Sequence, residues 1–112
     1  MIYYHNPRCS KSREGLALLK DSNCDYKVVE YITNPISSNQ LKDLLSALSM
    51  TAKSLIRKKD LGKFGLKFAD LSDQDAFDTL IKYPSLMERP ILHKDDMAII
   101  GRPPELLKDL IA

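Results

Sequence analysis

The amino-acid sequence predicts an α/β domain made of an N-terminal βαβ unit, a C-terminal ββα unit and a three-helix insertion between them. Three observations lead there. Met1 to Tyr4 and Tyr26 to Tyr31 are β-prone runs that flank a helical stretch. Leu41, Leu44, Leu45 and Leu48 recur at i, i+3, i+4 and i+7 in a middle region that lacks strand signals from Asn34-Pro35 to about residue 86. Pro90 to His93 and Met97 to Ile100 then flank the polar turn Lys94-Asp95-Asp96, as the arms of a hairpin do.

Each element has its own local reason. Asn6-Pro7 ends the first strand, and the run from Ser12 or Arg13 to Lys20 reads as a helix with Leu16, Ala17, Leu18 and Leu19 for packing and Gly15 as a mild internal weakness. Asp21-Ser22-Asn23 stops it. The strand Tyr26–Tyr31 follows, parallel to the first through a right-handed crossover. The insertion covers about residues 36–84. Ser37 with Gln40 forms a capping box for its first helix, Thr51 caps a second from Ala52 to about Arg57, and Ser72 with Asp75 starts a third that ends at Tyr83-Pro84. Between the last two, Gly62 and Gly65 mark a loop. After the hairpin, Pro103-Pro104 opens a terminal helix carrying Leu106, Leu107, Leu110 and Ile111.

At 112 residues the chain is read as one domain, 1–112. Its formal net charge of +2 leaves no global field to hold nucleic acid or an anionic membrane, so any anion site is local. Only four residues precede His5-Asn6-Pro7-Arg8, too few for a secretory signal, and no apolar run reaches membrane-spanning length. A cytoplasmic protein is expected, and two cysteines fifteen positions apart suit reduced thiols better than a disulfide scaffold.

One of those cysteines stands out. Cys9 falls in the turn between the first strand and the first helix, with His5, Arg8, Lys11 and Arg13 within four residues. Helix N-termini carry partial positive charge, and both effects favour thiolate over thiol. An unperturbed cysteine titrates near about 8.5; such surroundings lower that value and make the sulfur a nucleophile at cellular pH. The competing reading is a small buried hydrophobe. Cys24 has no basic cluster, and a structural role is expected for it.

The segments His5-Asn6-Pro7-Arg8-Cys9-Ser10-Lys11-Ser12-Arg13, Leu55-Ile56-Arg57-Lys58, Glu88-Arg89-Pro90-Ile91 and Gly101-Arg102-Pro103-Pro104-Glu105 together resemble the glutaredoxin-coupled arsenate reductase family, in order and over essentially the whole chain. That resemblance implies a thioredoxin-like fold, a nucleophile at Cys9 with His5 near it, and an oxyanion site formed by Arg57, Arg89 and Arg102. Guanidinium forks match tetrahedral oxyanions such as arsenate. It also implies a cis bond at Arg89-Pro90, with Pro90 beside the reactive sulfur, and substrate contacts from Ser12 and Arg13. Position 12 lacks a resolving cysteine; Ser12 is expected to cap the helix or donate to the thiolate. No tightly bound cofactor is implied. Glutathione is the co-substrate and glutaredoxin the protein partner.

Other readings use the same residues. A thiol-redox regulator of this fold that binds RNA polymerase is a binding module rather than an enzyme, and its relatives often carry a cysteine where Ser12 stands. A low-molecular-weight phosphatase needs an arginine six positions after the cysteine, where this chain has Gly15. Zinc held by His5, Cys9, Cys24 and His93 lacks the paired spacings of known sites.

Overall fold

A computed structural model describes residues 1–111. Four strands form one sheet in the order β2-β1-β3-β4, where β1 is Ile2–Tyr4, β2 Lys27–Val29, β3 Ile91–Lys94 and β4 Met97–Ile100. β1 and β2 run parallel with Tyr3 opposite Val28, β3 pairs antiparallel to β1 with Tyr3 opposite Leu92, and β4 folds back on β3. Around it lie α1 (Ser10–Asp21), α2 (Ser38–Leu48), α3 (Ala52–Leu55), α4 (Asp73–Lys82) and α5 (Lys108–Ile111). This is the expected α/β order, and among the described residues no helix is long and apolar enough to cross a membrane.

Alternation along the strands divides the core into two layers. Tyr3 and Leu92 point to one side and pack with Leu19 of α1 and with Leu107 and Leu110 of the C-terminal segment. Tyr4 and Ile91 point to the other, against Leu41 and Leu44 of α2, Leu55 of α3, and Ala76 and Leu80 of α4. Burying one such leucine contributes roughly 1.5–3 kcal/mol. The α2 and α4 capping boxes form as read: Gln40 N–H donates to Ser37 Oγ at 3.2 Å and Asp75 N–H to Ser72 Oγ at 3.0 Å.

Several boundaries differ from the sequence reading. α1 starts at Ser10, two residues before Ser12, so the helix reaches back to the cysteine. β2 keeps only Lys27–Val29 because β1 offers three partners, and Tyr31 leaves the sheet to lie buried in the core. α3 ends at Leu55 rather than Arg57 because Ile56 turns extended and bridges to Met87. Arg57 N–H donates to the Leu86 carbonyl at 2.7 Å and Glu88 N–H to the Leu55 carbonyl at 2.9 Å. This seam fixes the middle region to the chain entering β3. The loop expected after α3 winds as 3-10 turns, Lys58–Phe64 and Phe68–Asp70, and the terminal helix opens with a 3-10 turn at Pro104–Leu107.

Gly15 is not the weakness that helix propensity suggests. A Cβ there would collide with the Tyr3 hydroxyl and lie 2.8 Å from Leu107 Cδ1, so the bare backbone lets α1 sit close against the sheet and the C-terminal segment. We expect Gly15→Ala to lower unfolding free energy by about 1–3 kcal/mol, as overpacking does, although alanine favours helix by up to about 1 kcal/mol. Chemical denaturation measures this; an increase in stability would show that α1 packs less closely than described.

Candidate active site

The turn that carries Cys9 is built by its neighbours. Cys9 N–H donates to the Asn6 carbonyl at 3.0 Å, and Arg8 N–H to Asn6 Oδ1 at 3.0 Å, which closes the loop left by Pro7. Cys9 is the N-cap of α1, in extended conformation, and its carbonyl accepts the first helical hydrogen bond from Arg13. Its side chain makes no capping bond, so the sulfur stands at the start of the helix with the N–H groups of Lys11 and Ser12 turned toward it. Partial burial pushes the thiol up. The Ser12 N–H, the Arg89 guanidinium and the Lys11 N–H outweigh that, and Cys9 lies below its ordinary value.

Ser12 donates to the sulfur as expected, but through its backbone N–H and not its side chain. Its hydroxyl neither caps the helix nor faces the sulfur; it is fully buried, accepts from Asn6 N–H at 2.9 Å and sits 2.8 Å from His5 Nδ1. Tyr3 donates to the Ser12 carbonyl at 2.6 Å. His5 therefore buttresses the turn through Ser12. Burial is the main reason its imidazole titrates below the usual value, against an upward pull from Glu30, so it is neutral at pH 7.

Two of the arginines meet at Cys9. Arg102 Nη1 lies 3.8 Å from Cys9 Sγ and donates to the Arg89 carbonyl at 3.0 Å, which ties the segments before β3 and after β4 together at the sulfur. Arg89 Nη1 donates to the Ser85 carbonyl at 2.9 Å, while its Nε is buried without a partner among the described residues. The Arg89-Pro90 and Arg102-Pro103 peptide bonds are both cis; the resemblance implies the first and is silent on the second. The Pro90 ring is fully buried. Arg57 lines an open cleft of about 660 Å³ together with Arg102, but it is nearly buried and its Nε is held by Asp60 at 3.0 Å. Arg13 is exposed and donates to the Pro7 carbonyl at 2.9 Å, so it fastens the loop from outside.

Three participants escaped the sequence reading. Asp60 is three residues after Arg57, a spacing that signals a pair. Burial raises its carboxyl, but hydrogen bonds from Arg57 and Lys63 prevail and hold it below its usual range. Glu88 approaches Arg102 at 4.0 Å, fourteen positions away, with no local signal. Tyr31 is 1% exposed and its hydroxyl has no hydrogen-bond partner among the described residues; the Asn6 side chain is near, but without hydrogen-bond geometry. Burial, which outweighs the fields of Arg89 and Arg57, pushes this phenol up to about 12, so it stays neutral.

Among the described residues no three His, Cys, Asp or Glu side chains gather to hold a metal. His5 is committed to Ser12, and Cys24 Sγ lies 3.1 Å from Ser22 Oγ beyond the far end of α1.

The chain is similar to known proteins over nearly its whole length. The model of the ArsC family matches residues 4–110. An arsenate reductase of Haemophilus influenzae is 36% identical over 99% of this chain and 98% of its own. A protein of Escherichia coli K12 named YfgD, uncharacterized, is 44% identical over 96% and 93%. The solved structure of an arsenate reductase from Vibrio cholerae superposes with a TM-score of 0.89 at 37% identity, covering 96% of this chain and 94% of that one.

Two outcomes follow from the geometry. Iodoacetamide should alkylate Cys9 with a midpoint below that of a free cysteine. Only the thiolate reacts, so rate rises with pH through the folded-state value; Arg89→Ala removes a lowering influence and should move the midpoint upward. A midpoint at or above that of free cysteine contradicts the assignment. Tyr31→Phe removes a hydroxyl with no partner, so unfolding free energy should stay level or rise, whereas loss of a satisfied buried bond costs about 1–3 kcal/mol.

Proposed function

The chain belongs to the ArsC family, and from that membership we propose that it reduces arsenate to arsenite, with Cys9 as nucleophile and glutathione and glutaredoxin supplying the electrons. The observation that carries this reading is the Cys9 sulfur at the start of α1 with the Arg102 guanidinium 3.8 Å away and Arg89 beside it. A helix N-terminus and two guanidinium groups favour an oxyanion at the same point where they favour the thiolate.

The Cys9 thiolate attacks arsenic(V) and forms a sulfur–arsenic bond while one arsenate oxygen leaves as water. Arg89 and Arg102 offset charge on the remaining oxygens, with Arg57 on the cleft wall behind them. Glutathione thiolate then attacks the Cys9 sulfur. The sulfur–arsenic bond breaks with its electron pair on arsenic, which departs as arsenite, and Cys9 is left in a disulfide with glutathione. Glutaredoxin takes up the glutathionyl group by thiol exchange and restores Cys9. Two thiols are oxidised and arsenic gains two electrons.

An external thiol is favoured because Cys24 lies past the C-terminal end of α1, a helix of twelve residues or about 18 Å. Glutathione-rich cytoplasm is the compartment that suits this chemistry. Purified chain assayed with arsenate, glutathione and glutaredoxin should form arsenite, Cys9→Ser should fall to background, and Arg102→Ala should lose about 10²–10³ in turnover, as loss of an oxyanion donor does. Activity retained by Cys9→Ser would remove the nucleophile assignment. Glutathionylation of Cys9 without arsenate turnover would replace the reductase reading with that of a thiol-redox regulator.

A further inference from the structure

The cleft that Arg102 shares with the surroundings of Cys9 is larger than an oxyanion. About 660 Å³ is lined by Ser54, Ile56, Arg57, Lys58, Lys59, Glu88, Ile100, Arg102 and Leu106, a volume in the range that holds drug-sized molecules. A four-oxygen anion leaves most of it empty. Cys9 does not line this cleft, but Arg102 belongs both to its wall and to the sulfur's surroundings, so one side chain separates the cleft from Cys9.

Its charges are distributed unevenly. Arg57 is offset by Asp60 at 3.0 Å and Arg102 faces Glu88 at 4.0 Å. Lys58 and Lys59 are exposed, and neither forms an ion pair among the described residues. Lys58 Nζ rests 4.2 Å above the Phe68 ring, which leaves its charge unmatched by any carboxylate. Ile56, Ile100 and the exposed Leu106 add an apolar side. A ligand suited to this lining has a carboxylate at one end, an apolar or peptide middle, and a reacting group that reaches the Arg102 end.

We propose that this cleft is the binding site for the thiol co-substrate, a small carboxylate-bearing thiol of the glutathione class, with Lys58 and Lys59 holding its carboxylate while its sulfur approaches Cys9. The inference rests on the thiol-dependent reading above and adds the residues that select the thiol. The cleft is open, with room for an extended peptide-like thiol, and neither lysine is among the groups that act on the Cys9 thiol, so they act on capture of the thiol and not on chemistry at arsenic.

The test is disulfide exchange, which needs no arsenate. Cys9 thiolate attacks glutathione disulfide; one sulfur–sulfur bond forms, one breaks, and glutathione thiolate leaves. The uncharged probe is bis(2-hydroxyethyl) disulfide. The double variant Lys58→Glu/Lys59→Glu should react about fivefold more slowly with glutathione disulfide, the scale of exposed charge contacts, and at an unchanged rate with the neutral probe. The wild-type preference for the charged probe should shrink as salt rises. Equal slowing with both probes, or no slowing with either, overturns the proposal. If arsenate is not turned over but the charged-probe selectivity depends on the lysines, the cleft assignment stands and the reductase reading falls. If wild-type Cys9 reacts with neither probe, both fall.

Discussion

The position of the Cys9 sulfur depends on one buried hydroxyl. Ser12 lies in the first turn of α1, and its Oγ joins Asn6 N–H and His5 Nδ1, while its carbonyl takes the Tyr3 phenol. These contacts bind the end of β1 to the start of α1 from inside the protein, where water cannot compete. With that junction fixed, the loop closes on the Asn6 carbonyl and Cys9 falls at the N-cap. Loss of the hydroxyl would strand a backbone donor and an imidazole nitrogen in the interior, each a penalty of about 1–3 kcal/mol.

Around this junction the fold brings together arginines from distant parts of the chain without letting their charges accumulate. Asp60 faces Arg57 and Glu88 faces Arg102, so the cationic side of the site is partly neutralised before any anion arrives. Arg89 differs. Its Nε and the Tyr31 hydroxyl are the two buried side-chain atoms left without partners among the described residues, and Tyr31 lies within the fields of Arg89 and Cys9. Unmet hydrogen-bonding capacity thus collects around Cys9 while the rest of the described interior is satisfied, the pattern expected of a functional site.

What could be read in advance was whatever is encoded by neighbours in sequence. The capping boxes at Ser37 and Ser72, the leucine periodicity of α2, the hairpin around Asp95 and the cationic turn at Cys9 all rest on spacings of a few residues, and the structure has them. Arg57, Arg89 and Arg102 were marked only by resemblance, and no periodicity places Arg102 at Cys9 across ninety-three positions. Local propensity misjudged Gly15, whose value lies in contact with Tyr3 and Leu107, and Ser12, whose polar side chain turns inward because His5 and Asn6 wait there. Tertiary contacts decide both, and a single chain gives no local sign of them.

The extended bridge at Ile56 and Met87 bears on how the chain tolerates changes of length. Leu55, Ile56 and Arg57 are all buried and held by backbone bonds to Leu86 and Glu88, and in an extended strand a shift of one residue turns every side chain to the opposite face. A deletion here would turn the guanidinium of Arg57 away from the cleft wall and from Asp60. The stretch from Gly62 to Asp70 is exposed at most positions and holds to the core through Phe64, Leu66 and Phe68 rather than through a strand register, so a change of length there would leave the arginine in its place.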